Sequence, residues 1–470
     1  MEMLTGNYSF DSENLRMRLG VKENFDVVER HLIADGSEMS MFFVDGFIKD
    51  AEMMRLMQDI LSKKSPFTAE SLFHEIPYVE VELVSELDKI IRSVLSGQAA
   101  LIGEGFGASA ILIDARTYPA RSTAEPDSDR VMQGSHDGFV ETLVLNTALI
   151  RRRIRDERLR MKHFDMGGSS KTDVVMCYVD GIANERLVLE IEKKLRAAKP
   201  KTLTLGFQSL AETLIRKGWY NPFPKIRTTE RPDTAAAQLM EGSILVICDT
   251  SPRVMVLPTS IFHYVEQTDD YYFPPLTGTY LRLVRTFILL LSLVATPLWY
   301  LYLEYAHRLP AFLLFLVPDE PGALPIILQL LLVEVAIDGL KIASMNTPDM
   351  LSNSLSIVGG LILGDFAVGV GWLSADVILY MAFVAIANFA QQNNELGYAI
   401  KFMRVLTLLL VHFLGIWGFV LSIILFCVAV ATNNTITGRH YLYPLIPFDR
   451  KAMKRLLVRT RKTDFDSEKS

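Results

Sequence analysis

Cysteine is scarce, and the three present, Cys177, Cys248 and Cys427, share no metal-ligand or redox spacing. No disulfide framework is implied, which suits a cytosolic compartment. The eight histidines are scattered singly, with no two-histidine pair on one helical face, so a metal site has no support. A nucleophile elbow and other hydrolase signatures are missing as well. Gly167-Gly168-Ser169-Ser170-Lys171-Thr172 imitates the end of a phosphate loop, but it lacks the leading glycine and precedes a strand. Gly103-Glu104-Gly105-Phe106-Gly107 lacks the full dinucleotide fingerprint and reads as a hairpin turn. These absences argue against an enzyme, and no cofactor is expected. Met1 to Gly20 is polar, with Asp11, Glu13, Arg16 and Arg18 where a secretory signal needs an apolar core. The amino-terminal half is therefore expected in the cytoplasm.

Apolar residues are abundant, at 50% with a mean hydropathy of +0.23, and they are unevenly spread. Residues 1–280 read like an ordinary α/β or α+β protein, whereas 281–431 are dense in Leu, Ile, Val, Phe and Ala. The net charge of −6 averages unlike regions and says little about partners. The expected organisation is a polar segment over 1–24, a first subdomain over 25–135 ending in a linker, a second over 136–280, membrane helices over 281–431 and a basic tail over 432–470. In the first subdomain Met41–Val44 and Ala110–Ile113 read as strands, Ala51–Leu61 and Val81–Leu95 as helices. In the second, a helix is expected over Phe139–Arg160 and another over Glu185–Lys194, with strands at Asp173–Val179 and Ile244–Cys248.

Thr286–Leu303 is uncharged and preceded by Arg282 and Arg285, which suits a span running outwards from the cytoplasm. Ala323–Ala343 reads as a second span interrupted by charge, Leu351–Trp372 and Asp376–Ala390 as a glycine-rich third region, and Val405–Ala431 as the cleanest span. The tail from Arg439 to Lys462 sets eight basic residues against Asp449 alone, which favours the cytoplasmic side and an anionic lipid surface. An even number of crossings follows, with one glycine-rich piece broken or re-entrant.

Glu334, Asp338 and Lys341 are spaced i, i+4 and i+7 and so share one helical stripe. Each costs roughly 2.5–3.5 kcal/mol at the centre of a bilayer, so the stripe must face protein or water. Asp338 paired with Lys341 would be a fastener; Glu334, without an obvious cation, would line an aqueous path. Gly360 and Gly364 form a small-xxx-small pair beside Asp365, and Asn388 adds a further polar group. They are candidates for a helix interface or a pore lining. Arg151, Arg152 and Arg153 end a helix and are candidates for a subunit or lipid-headgroup contact; acids around them argue against nucleic acid.

Gly138-Phe139-Val140-Glu141, the run from Asn146 through Arg151, Arg152 and Arg153 to Ile154, and Ser170-Lys171-Thr172-Asp173-Val174 together form an ordered set of motifs. Gly181-Ile182-Ala183-Asn184, Asp270-Tyr271-Tyr272 and the Ser354–Gly360 run continue it. The set resembles the A subunits of bacterial spore germinant receptors, the GerA family. The resemblance implies a multi-span protein of the spore inner membrane that acts in germination. It further implies a homo-oligomeric ring, a pentamer, around a pore for monovalent cations, with other germination membrane proteins as partners; a secondary transporter of small solutes and a non-conducting scaffold for germinant receptors stay open as alternatives. A proline-containing turn usual in that family is replaced here by Asn388–Asn394, so gating need not match that of a receptor.

Overall fold

The strand-forming runs of the first half pair only antiparallel in the computed structural model, which fixes the class as α+β. The structure describes residues 2–48, 50–64, 67–117, 129, 131, 134–215, 220–267, 269–308, 311–346, 359–360, 366–391, 393–433, 435–438 and 440–457. The chain forms two compact units. One comprises Met1–Lys217, Ile226–Thr259 and Thr435–Arg439; the other comprises Gly218–Lys225, Ser260–Asn434 and His440–Ser470.

The first unit is built twice from one plan. Helix α1 (Tyr8–Leu19) precedes strands β1 (Val27–Ala34) and β2 (Ser37–Val44), helices α2 (Asp50–Ser62) and α3 (Ala69–Glu75), strand β3 (Val81–Val84), helix α4 (Leu87–Leu95), and strands β4 (Ala99–Gly103) and β5 (Ala110–Ile113). The same succession then recurs. It comprises α5 (Leu143–Arg153), β6 (Leu159–Met166), β7 (Thr172–Val179), α6 (Glu185–Ala197), α7 (Phe207–Leu214), β8 (Arg227–Thr229), α8 (Pro232–Met240), β9 (Ile244–Cys248) and β10 (Val254–Leu257). Spatial orders β1-β2-β4-β5-β3 and β6-β7-β9-β10-β8 are the same permutation.

Both faces of each sheet are covered by helices, and the period-2 alternation of strand residues divides them between two cores. Phe42, Ala100 and Leu112 pack with Leu15 and Leu19 of α1 and Ile90 and Val94 of α4. Their neighbours Met41, Leu101 and Ile111 pack with Leu56 and Ile60 of α2 and Leu72 of α3. The polar opening segment thus supplies a core helix. In the second repeat Val174 and Met176 face α6 and α7, while Val175, Cys177 and Val179 face α5 and α8. Burial pushes the thiol of Cys248 up to about 12 and that of Cys177 further, so neither is a reactive cysteine.

Two expected elements of this unit change. Residues 81–95 are β3 followed by α4, because β-branched Val81 and Val84 pair with β5 before Leu87 starts the helix. The helix expected over 139–160 is only α5: the Asn146 side chain grips both the N–H and the carbonyl of Val140, and Asp249 Oδ1 accepts from Leu143 N at 3.0 Å. Its end at Ile154 lets Leu159 and Arg160 enter β6.

The second unit is helical: α9 (Asp269–Tyr272), α10 (Pro275–Glu304), α11 (Ile326–Met345), α12 (Ala375–Phe389), α13 (Asn394–Leu414), α14 (Ile416–Ala431) and α15 (Arg450–Leu457). Among the described residues, α10 and α13 are long and apolar enough to cross a membrane. The run expected as one span over Val405–Ala431 is the end of α13 plus α14, folded back at Gly415 with φ +55°. Near that turn a Cβ on Gly418 would collide with the Leu410 carbonyl, and farther away Val430 packs with Leu396 and Ala399. The helix pair is therefore an antiparallel hairpin.

Candidate functional site

The charges of α11 meet a second charged stripe, on α13. Asn394, Tyr398, Lys401 and Arg404 recur at i, i+4, i+7 and i+10 and line up beside Lys341, Asp338 and Glu334. Arg404 is wholly buried; its guanidinium pairs with Glu334 Oε1 and donates at 3.1 Å to the Ser292 carbonyl of α10. Lys401 pairs with Asp338, donates to the Glu334 carbonyl at 3.1 Å and lies 3.9 Å from Glu334 Oε1. Lys341 donates to Asn394 Oδ1 at 3.0 Å and lies 5.0 Å from the ring centre of Tyr398. The expected pairing is thereby corrected. Asp338 is neutralised by Lys401 and not by Lys341, and Glu334 has a buried cation of its own. One turn of helix separates Asp338 from Lys341 at i+3, but the facing helix supplies the closer partner.

Asp338, Lys341, Asn388, Asn394 and Lys401 line one cleft between α11, α12 and α13, with Phe389 at its edge. Its volume of about 20 Å³ holds one water. Asp338 is 35% exposed there, against 5% for the Glu334 side chain, so one stripe has a sealed end and an open end. Three of the polar candidates thus come together: Asp338, Lys341 and Asn388. Gly360 has open space around its Cα, whereas a Cβ on its neighbour Gly359 would strike Leu340 of α11; within the chain the close approach belongs to Gly359. Gly364 and Asp365 lie outside the described residues.

Sequence reading missed Lys401 and Arg404, because a hydropathy scan starts the last span after them, at Val405. The signal available was their i, i+3 spacing on a helix otherwise apolar. Arg282 and Arg285, expected as flanking charges, are also buried ion-pair partners. Arg285 Nη1 lies 3.1 Å from Asp270 Oδ2, and Arg282 Nε lies 3.5 Å from the same oxygen. Asp270 itself is 0% exposed.

The arginine run of α5 is a set of fasteners in the first unit. Arg151 is 0% exposed and forms a two-pronged pair with Asp26, at 2.8 Å from Nε and 3.0 Å from Nη2. A lipid or subunit contact is excluded for it: it joins the second repeat to the segment that opens β1. Arg152 is exposed, and Arg153 pairs with Asp137 at 2.6 Å beside Ser135. Burial alone would raise the Asp137 carboxyl, but the hydrogen bonds from Arg153 and Ser135 overcome it and hold the group below the usual carboxylate range. A depressed carboxyl stabilises the fold above its unfolded pKa of about 3.9, and the contribution is lost as pH falls through the folded value. Asp137→Asn is therefore expected to cost about 1 kcal/mol near neutrality, and the difference from the parent chain should vanish in acid. Unfolding curves measured across pH check this.

The chain belongs to the Bacillus/Clostridium GerA spore germination protein family, whose profile matches residues 13–469. It is similar to stage V sporulation protein AF of Bacillus subtilis (strain 168), with 37% identity over 97% of this chain and 93% of that one. It is also similar to the uncharacterized membrane protein YfkQ of the same organism, at 30% identity over 83% of this chain and 76% of that one. Among solved structures, the N-terminal domain of the A subunit of the Bacillus megaterium spore germinant receptor GerK3 matches 54% of this chain and 96% of that domain. The identity is 23% and the TM-score 0.41.

Proposed function

We propose that this spore germination protein is a multi-span protein of the spore inner membrane whose helical unit carries an ion path in a homo-oligomeric ring. The observation that carries the reading is the cleft of Asp338, Lys341 and Asn388, where Asp338 is 35% exposed between apolar helices. Charged groups left facing hydrocarbon are costly, so a neighbouring copy or water must cover them. Glu334 and Arg404, sealed inside one chain, serve as the fastener that holds α10, α11 and α13 while the cleft opens or closes. The first unit would stand in the cytoplasm, with its two repeats locked by Asp26 and Arg151.

A pentamer and monovalent cations come from the family likeness. The cleft sets Asp338 against Lys341 and Lys401, and this charge count gives no cation preference by itself. Selectivity is therefore to be read from reversal potentials. The size of the detergent-solubilised complex tests the ring. A stable ring is expected for the parent chain and for Asp338→Asn; a monomer in both native membrane extracts and detergent would overturn the ring reading.

A further inference from the structure

The structure places a basic helix and an exposed apolar loop beside the foot of α10, and nothing in the ion path uses either. Leu445, Ile446 and Phe448 are 45%, 49% and 69% exposed. Directly after them α15 carries Arg450, Lys451, Lys454 and Arg455 and no acid. Arg450 and Lys454, at i and i+4, are both exposed on one face. Asp449 caps the helix, accepting from Ala452 N at 3.1 Å. The buried Arg282 of α10 donates to the Leu456 carbonyl at 2.6 Å, which ties α15 to that helix.

This tie fixes a depth. A 30-residue α10 is about 45 Å long, whereas a hydrocarbon core is about 30 Å thick. Its uncharged stretch begins at Thr286, so Arg282 stands at the level of the headgroups. Leu283 and Phe287, at i and i+4, are both exposed on either side of that boundary, which marks the face of α10 turned to lipid there.

We infer that residues 445–457 form an interfacial clamp for anionic phospholipid: Leu445, Ile446 and Phe448 enter the acyl boundary, and Arg450 and Lys454 bind the headgroup phosphate. The inference rests on the reading of α10 as a membrane span. A basic residue near an anionic membrane attracts it, and an adjoining apolar anchor adds the second signal that stable attachment needs. A soluble phosphate would gain only the first.

Spin-labelled lipids test it with the full chain reconstituted in phosphatidylcholine vesicles containing a minority of phosphatidylglycerol. Labelled phosphatidylglycerol is expected to associate with the protein severalfold more strongly than labelled phosphatidylcholine. The double variant Arg450→Gln, Lys454→Gln should lose most of that preference while phosphatidylcholine association stays unchanged. Lys454→Arg should keep it, and added inorganic phosphate should not displace the lipid. Equal association of the two lipids with the parent chain, an undiminished preference in the double variant, or displacement by inorganic phosphate would each overturn the clamp. An alkaline wash separates the two readings. Both proteins should stay with the vesicles, whereas their release would sink the spanning reading of α10 itself.

Discussion

Arg151→Ala is expected to destabilise the first unit by about 3–5 kcal/mol, a cost typical of leaving one partner of a buried ion pair alone. Asp26 would be left at 1% side-chain exposure with its two-pronged partner gone. The carbonyls of Asp156 and Leu159, both within 3.5 Å of the Arg151 guanidinium, would lose a donor as well. The matching apolar replacement, Asp26→Leu with Arg151→Met, should recover much of the loss, because a buried pair is worth little beyond an apolar substitute. Thermal unfolding followed by the β-sheet circular dichroism signal distinguishes the cases. A loss under about 1 kcal/mol in the single variant would show that this pair adds little to the joint between the two repeats.

Glu334→Gln should be far more damaging in the helical unit than Asp338→Asn. Arg404, at 0% exposure, would lose its carboxylate partner and be left with the Ser292 carbonyl as acceptor among the described residues, its Nε already without a hydrogen bond. The expected cost is again about 3–5 kcal/mol, read as lost assembly and lower thermal stability of the solubilised protein. Asp338→Asn should cost much less, since its carboxylate is one-third exposed and Lys401 retains the Glu334 carbonyl. Spacing along α11 alone suggests the reverse ranking, with Asp338 as fastener and Glu334 as lining. The partner stripe on α13 inverts it. Equal stability of the two variants would remove the distinction between a sealed and an open end.

What the sequence discloses, and what it hides, follows from where the polar groups go. Strands β2, β5, β7 and β9 are legible because both of their faces are buried, so they read as apolar runs bounded by turns. Strands β1 and β6 are edge strands carrying Glu29, Arg30 and His31, or Arg160, Lys162 and His163, which mask the alternation with charge. The repeat leaves little trace in residue identity: by strand register Met41 answers to Met176, but Phe42 answers to Cys177 and Leu101 to Val246. It emerges only from strand order. In the helical half, charge hides α13: Glu395, Lys401 and Arg404 shift the apparent span to Val405, although Arg404 is buried and Lys401 paired with a carboxylate once folded. The stripe of Glu334, Asp338 and Lys341 was legible as a stripe, but its roles depend on partners 53, 63 and 70 residues away.

The central claim, that this chain carries ions through a path including the Asp338 cleft, is tested most directly by flux from liposomes holding the purified full-length protein. The account predicts potassium flux above that of protein-free vesicles. It also predicts that Asp338→Asn changes this flux, or its reversal potential, while the ring keeps its size. Intact rings that pass no more ions than empty vesicles, or an Asp338→Asn ring indistinguishable in both rate and selectivity, would contradict it.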